Sequence, residues 1–106
     1  MANKYSVVFT EPAEEDLDGI YGYISQHLHN TDAARTLMES FQQKILRLED
    51  FPLSCPGITI LLPQKEYRRL NVGNYLVFYR VDEAERCIYV VRILYASRNY
   101  LALLDE

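Results

Sequence analysis

Apolar positions in this chain recur with the period of a strand, then of helices, then again of strands. Tyr5-Ser6-Val7-Val8-Phe9-Thr10 is short, aromatic and β-branched and stops at Thr-Glu-Pro, which predicts a strand. Pro12 suits the first turn of a helix, where its missing N–H costs nothing. Glu11, Glu14, Glu15 and Asp16 crowd that turn, where the helix dipole favours negative charge; acids there read as a solvated polar face. Ala13, Leu17, Ile20, Tyr21, Ile24 and Leu28 make one apolar stripe. Gly19 and Gly22 cost up to ~1 kcal/mol each against alanine, a cost that close packing would explain. Asn30-Thr31-Asp32 supplies a break and a cap for a second helix, with the stripe Ala34, Leu37, Met38, Phe41, Ile45 and Leu48. So short a joint predicts an antiparallel helical hairpin.

Phe51-Pro52 ends the second helix, and residues 52–63, with three prolines and Gly57, form an irregular connection. Within it, Ile58–Leu62 fits an edge strand and a buried loop equally well. From Tyr67 the period is two. Tyr67–Val72, Tyr75–Asp82 and Cys87–Ala96 predict three strands, joined by the two-residue turn Gly73-Asn74 and the more open Asp82–Arg86. Residues 99–106 are a short tail that can start a helix turn at Leu101. The expected fold is α+β: an N-terminal strand, an antiparallel two-helix hairpin and a three-strand antiparallel meander, with the helices on one face of a twisted sheet. Residues 1–106 read as one domain.

Composition narrows the function classes. With 49% apolar and 25% charged residues the chain is ordinary for a globular domain, not a disordered or fibrous one. No apolar run is long enough to cross a membrane, and Met1–Tyr5 carries no export pattern, so a reduced, cytoplasmic protein is expected. The net charge of −4 divides unevenly: −5 over residues 1–60, +3 over residues 61–98, and −2 over the last eight. Any binding of a polyanion or an acidic peptide therefore belongs to the second half.

Few groups suggest catalysis. His27 and His29 read as surface residues with no ligand spacing, and Cys87 as inert core. Cys55 has nothing nearby to activate it. No metal or cofactor is expected. The arginines and tyrosines of the meander remain. Alternation puts Tyr75, Val77, Tyr79 and Val81 on one face and Leu76, Phe78 and Arg80 on the other. On the last strand it separates Ile88, Val90, Arg92, Leu94 and Ala96 from Cys87, Tyr89, Val91, Ile93 and Tyr95. A face left open by the helices suits base stacking and phosphate contacts, or an amphipathic peptide. Arg80 and Arg92 are equally readable as ion-paired structural residues.

Asn74-Tyr75-Leu76-Val77-Phe78-Tyr79-Arg80-Val81-Asp82 and Ile88–Tyr100 resemble the C-terminal half of the RelE/ParE toxins. The first half resembles them through Ala13, Asp16-Leu17, Ile20-Tyr21, Tyr23-Ile24, Leu48, Pro52 and Pro56-Gly57. The resemblance implies the toxin of a type II toxin–antitoxin pair, held by a cognate antitoxin that wraps it with a helix and an extended segment. Oligomers implied are a dimer or a toxin–antitoxin assembly. RelE-like members cut mRNA in the ribosomal A site; ParE-like members poison DNA gyrase.

For a nuclease the resemblance implies Arg98 at the scissile phosphate and Tyr95 or Tyr100 as acid or base. Arg68, Arg69, Phe78, Arg80 and Arg92 would contact target or antitoxin. The chain departs from the ribonuclease pattern: Tyr75-Leu76-Val77 replaces Tyr-Arg-Leu, and only Lys65 precedes the meander. An acidic chain is also a poor rRNA ligand. The expectation is therefore a ParE-like toxin. The alternatives are a ribosome-dependent endoribonuclease and a degenerate toxin that only binds protein.

Overall fold

The computed structural model describes residues 4–55, 57–58 and 66–96. Arg98, Tyr100, the helix turn expected at Leu101, and residues 59–62 of the ambiguous run lie outside the described residues. The predicted elements form as strand β1 (Ser6–Phe9), helix α1 (Glu11–Gly22), helix α2 (Thr31–Arg47) and strands β3 (Tyr67–Val72), β4 (Tyr75–Asp82) and β5 (Cys87–Tyr95). A two-residue strand β2 (Gly57–Ile58) pairs with β3 at Arg68 and Tyr67, so this part of the ambiguous segment is an edge strand. The sheet order is β1-β5-β4-β3-β2. β1 runs parallel to β5, from Ser6 beside Cys87 to Phe9 beside Val90, and makes the sheet mixed.

Capping chemistry sets the helix starts. The Thr10 hydroxyl accepts from Ala13 N–H at 3.4 Å and donates toward the Val90 and Val91 carbonyls, tying the start of α1 to β5. Asn30 Oδ1 accepts from Ala33 N–H at 3.0 Å and opens α2. Between the helices the α1 stripe is broken. Tyr23–His27 form a π-helical turn, with Leu28 N–H donating to Tyr23 O at 3.1 Å. One inserted residue rotates later positions by about 100°. Leu28, expected in the core, is therefore 56% exposed; Tyr21, which precedes the turn, is exposed independently of it. His29, at φ 51°, closes this end as Asn30 N–H reaches Ile24 O.

The helices lie on one face of the sheet, as expected. Ala13, Phe41, Ile45 and Leu48 pack there with Val72, Val77, Tyr79, Ile88, Val90 and Ile93. The other face is not bare: Tyr67, Leu76, Phe78 and Leu94 form a second buried cluster, with Val91 packed against it. Among the described residues no helix is long and apolar enough to cross a membrane.

Strict alternation also fails on β5. Phe78 pairs with Arg92 but the next residue, Tyr79, pairs with Val90, so Val91 is the extra residue of a β-bulge. Ile93 therefore joins Ile88 and Val90 in the helix-side core instead of facing away from them.

Gly19 and Gly22 do not serve close packing, since a Cβ at either position meets open space. Gly19→Ala should then raise stability by about 0.5–1 kcal/mol in a urea titration, and a loss on substitution would contradict this placement. Gly73 is the glycine whose backbone needs it: at φ 58° it takes the first place of the β3–β4 turn.

Candidate functional site

The meander arginines do not converge on one point. Arg68 stands opposite Tyr79 and shares its helix-side face. Its Nη1 donates to Cys55 O at 2.6 Å, and its Nη2 lies 3.9 Å from Glu66 Oε1. Arg69 stands opposite Phe78, on the other face. Arg80 shares that face, with its guanidinium 4.4 Å from the centre of the Tyr89 ring. Arg69 and Arg80 are thus diagonal neighbours across β3 and β4, a spacing that long side chains bridge. They make a small cationic patch beside the Tyr89 ring, above the buried Phe78 and Tyr67.

Arg92 is engaged elsewhere. Its Nε donates to Asp16 Oδ2 at 2.7 Å and its Nη2 to Asp16 Oδ1 at 3.0 Å, while Ile93 N–H donates to Oδ2 at 2.9 Å. Asp16 therefore caps the edge of β5 just beyond the end of β1 and anchors α1 to it. The expectation that Asp16 belongs to a solvated acidic face is wrong. It sits three residues after Ala13 and one before Leu17, on the buried stripe itself, and that spacing was the available signal. Arg92 is thus ion-paired, as one of the two readings weighed for it has it.

Phe78 is also corrected. It was expected as an exposed stacking surface and is 0% exposed, filling the second cluster. Tyr95 is 46% exposed and turned to the helix side, edge-on to Tyr75 at 5.5 Å, which in turn meets Phe41 at 5.9 Å. The bulge at Val91 places Tyr95 on that side, away from Arg69 and Arg80. Tyr89 is the residue that sequence reasoning undervalued; its cross-strand pairing with Arg80 was the sign to follow.

Arginines near a tyrosine can lower its pKa and make it a base, but at Tyr75, Tyr79 and Tyr89 the shift runs upward. Burial, then its interaction with Cys55, pushes the Tyr79 hydroxyl far up, against the opposing influence of Arg68. The Cys87 thiol raises Tyr89 despite Arg80. Burial raises Tyr75, with Tyr95 and Tyr23 adding to it. These three stay protonated at neutral pH. Tyr79 uses its proton to donate to Pro52 O at 3.1 Å. Because the folded pKa lies above the ordinary 10.0, its contribution to stability is complete below pH 10.0 and is lost as pH rises through the folded value. Urea midpoints at alkaline pH should fall for the wild type and much less for Tyr79→Phe; equal falls would contradict the assignment.

Comparison with known proteins gives a consistent picture. No curated protein sequence is significantly similar. A chain of the chromosomal ParDE system from P. aeruginosa superposes with a TM-score of 0.72 at 20% identity, over 91% of this chain and 100% of that one. The isolated E. coli RelE toxin gives 0.60 at 16% identity, over 95% and 94%. A chain of the RelBE2 toxin–antitoxin complex from Mycobacterium tuberculosis gives 0.55 at 20% identity, over 87% and 98%. At such identities the likeness is one of fold. The sequence itself goes further: the family described as the ParE toxin of the type II toxin–antitoxin system parDE matches residues 7–100. A match over that much of the sequence means that the chain belongs to the ParE toxin family.

Proposed function

We propose that this ParE-family toxin arrests growth by acting on DNA gyrase and is neutralised by a cognate antitoxin. The observation that carries this reading is the family match over residues 7–100. Position 76 supports it: where ribonuclease relatives are expected to hold an arginine, Leu76 is buried in an apolar cluster. Metal-free RNA cleavage needs a group that can take the 2′-hydroxyl proton. The raised pKa values of Tyr75, Tyr79 and Tyr89 make these three tyrosines unsuited to that task. A gyrase target would put the action in the cytoplasm.

The antitoxin has a fitting place to bind. Val7, Phe9, Leu17, Met38, Phe41 and Leu46 line an apolar groove of about 340 Å³ between β1, α1 and α2. Such a groove takes one face of an amphipathic helix. ParDE and RelBE2, two of the structural relatives, are toxin–antitoxin systems, which agrees with a partner of this kind.

Arg69 and Arg80 are the contacts proposed for gyrase. In a supercoiling assay with purified gyrase, Arg69→Glu and Arg80→Glu should each weaken inhibition about 5–30-fold, and together more, as interface contacts do. Absence of inhibition by the wild-type chain, with cleavage of ribosome-bound mRNA instead, would replace this reading by the nuclease one.

A further inference from the structure

A second cavity lies on the opposite flank of α2, between its last turn, the Phe51–Cys55 segment and β3. Its volume is about 430 Å³, and Leu48, Leu70, Phe51 and Cys55 line it together with Lys44 and Arg47. Small-molecule sites span roughly 300–1,000 Å³ and combine an apolar lining with a few polar groups, as this one does. Its outer wall is held from the sheet. The Tyr79 hydroxyl donates to Pro52 O at 3.1 Å, and Arg68 Nη1 donates to Cys55 O at 2.6 Å. A wall already fixed in this way lowers the entropy lost when a ligand enters.

Charge and ring geometry indicate what fits. Lys44 and Arg47 sit one turn apart on α2, with about 5–6 Å between their Cβ atoms. Neither has a carboxylate partner among the described residues. Glu49, close in sequence, lines the groove on the other side of α2. Lys44 spends one donor on a long 3.4 Å contact to Asn71 O and keeps the other two. A planar carboxylate suits the Arg47 fork, with Lys44 as a second positive charge. Phe51 is 62% exposed and offers its ring to a flat apolar body, with the buried Leu48 beneath. The same two cations disfavour a cationic ligand. They also meet little that is complementary in a second copy, since Lys44 and Arg47 would face their own kind across a symmetric contact.

We propose that this cavity binds a small aromatic carboxylate, with its ring between Phe51 and the Leu48–Leu70 floor and its carboxylate on Lys44 and Arg47. The site is separate from the Arg69–Arg80 patch and from the groove between β1 and α2. It goes beyond the toxin reading and does not depend on it.

The test titrates the ¹⁵N-labelled full chain with naphthoate, and with neutral naphthamide and cationic naphthylmethylammonium as matched probes. Amide shifts should saturate with naphthoate and centre on residues 44–55 and 70. Naphthamide should bind about tenfold more weakly, and the cation more weakly still. In the double variant Lys44→Gln/Arg47→Gln the advantage of naphthoate over naphthamide should disappear while the rest of the spectrum stays that of the wild type. Both positions are exposed, so the variant should fold. Phe51→Ala, also at an exposed position, should weaken naphthoate and naphthamide by the same factor. Equal response to the three probes, an advantage of naphthoate that survives in the double variant, shifts centred on the β1–α2 groove, or no saturation at millimolar naphthoate would overturn the proposal. Concentration-dependent shifts at these residues without any probe would give the cavity to a second copy and overturn it too.

Discussion

Asp16→Ala should lower folding stability by about 2–4 kcal/mol, a large share of the 5–15 kcal/mol typical of a domain. The substitution removes three hydrogen bonds at once, two from Arg92 and one from Ile93 N–H. It also removes a carboxylate from beside the partly desolvated Arg92 guanidinium. Breaking a buried pair in this way costs about 3–5 kcal/mol. The two side chains here keep 24% and 15% of their accessible surface, so water recovers part of that cost. At roughly 4–8 °C per kcal/mol, the melting temperature should fall by about 10–25 °C. Asp16→Asn keeps an acceptor for Ile93 N–H but not the charge, and should lose about half as much. Thermal unfolding of the three proteins checks the order; a loss below about 1 kcal/mol in Asp16→Ala would show that α1 is held to β5 by other means.

Phe78→Ala should cost about 3–5 kcal/mol, the usual range for deleting a buried aromatic side chain. Phe78 is completely buried with Tyr67, Leu76 and Leu94 on the face away from the helices. An exposed stacking residue at this place would behave in the opposite way: its truncation would leave stability within about 0.5 kcal/mol and impair only target binding. Urea unfolding of Phe78→Ala and of the milder Phe78→Leu separates the two. A stable alanine variant would restore Phe78 to the contact surface.

Periodicity was a sound guide wherever the backbone was regular. β1, both helices and the three long strands lie close to where their apolar spacing puts them, because one buried face per element imposes that spacing. It failed where one residue is inserted. The π turn at Tyr23–His27 turned Leu28 outward, and the bulge at Val91 carried Ile93 and Tyr95 to the helix side. Neither insertion has a compositional mark in the sequence. The Asp16–Arg92 pair joins residues 76 positions apart and becomes visible only when α1 is laid along β5.

The arginine site was legible as a set of residues but not as a surface. Arg68, Arg69, Arg80 and Arg92 are adjacent in the sheet, yet the pleat and the pull of Asp16 and Cys55 send them different ways. Arg69 and Arg80 share a face with Tyr89, and Arg92, opposite Phe78, lies on that face too but is held by Asp16. What identifies the family is the sequence spanning residues 7–100, and the structure then shows which of its charged groups are already in use.

The most direct test of the central claim is pulse labelling of DNA and protein synthesis in a bacterial host during the first minutes after this chain is induced without an antitoxin. The account predicts that DNA synthesis stops first while protein synthesis continues. Protein synthesis stopping first would contradict the gyrase assignment, and uninterrupted growth would contradict the toxin activity itself.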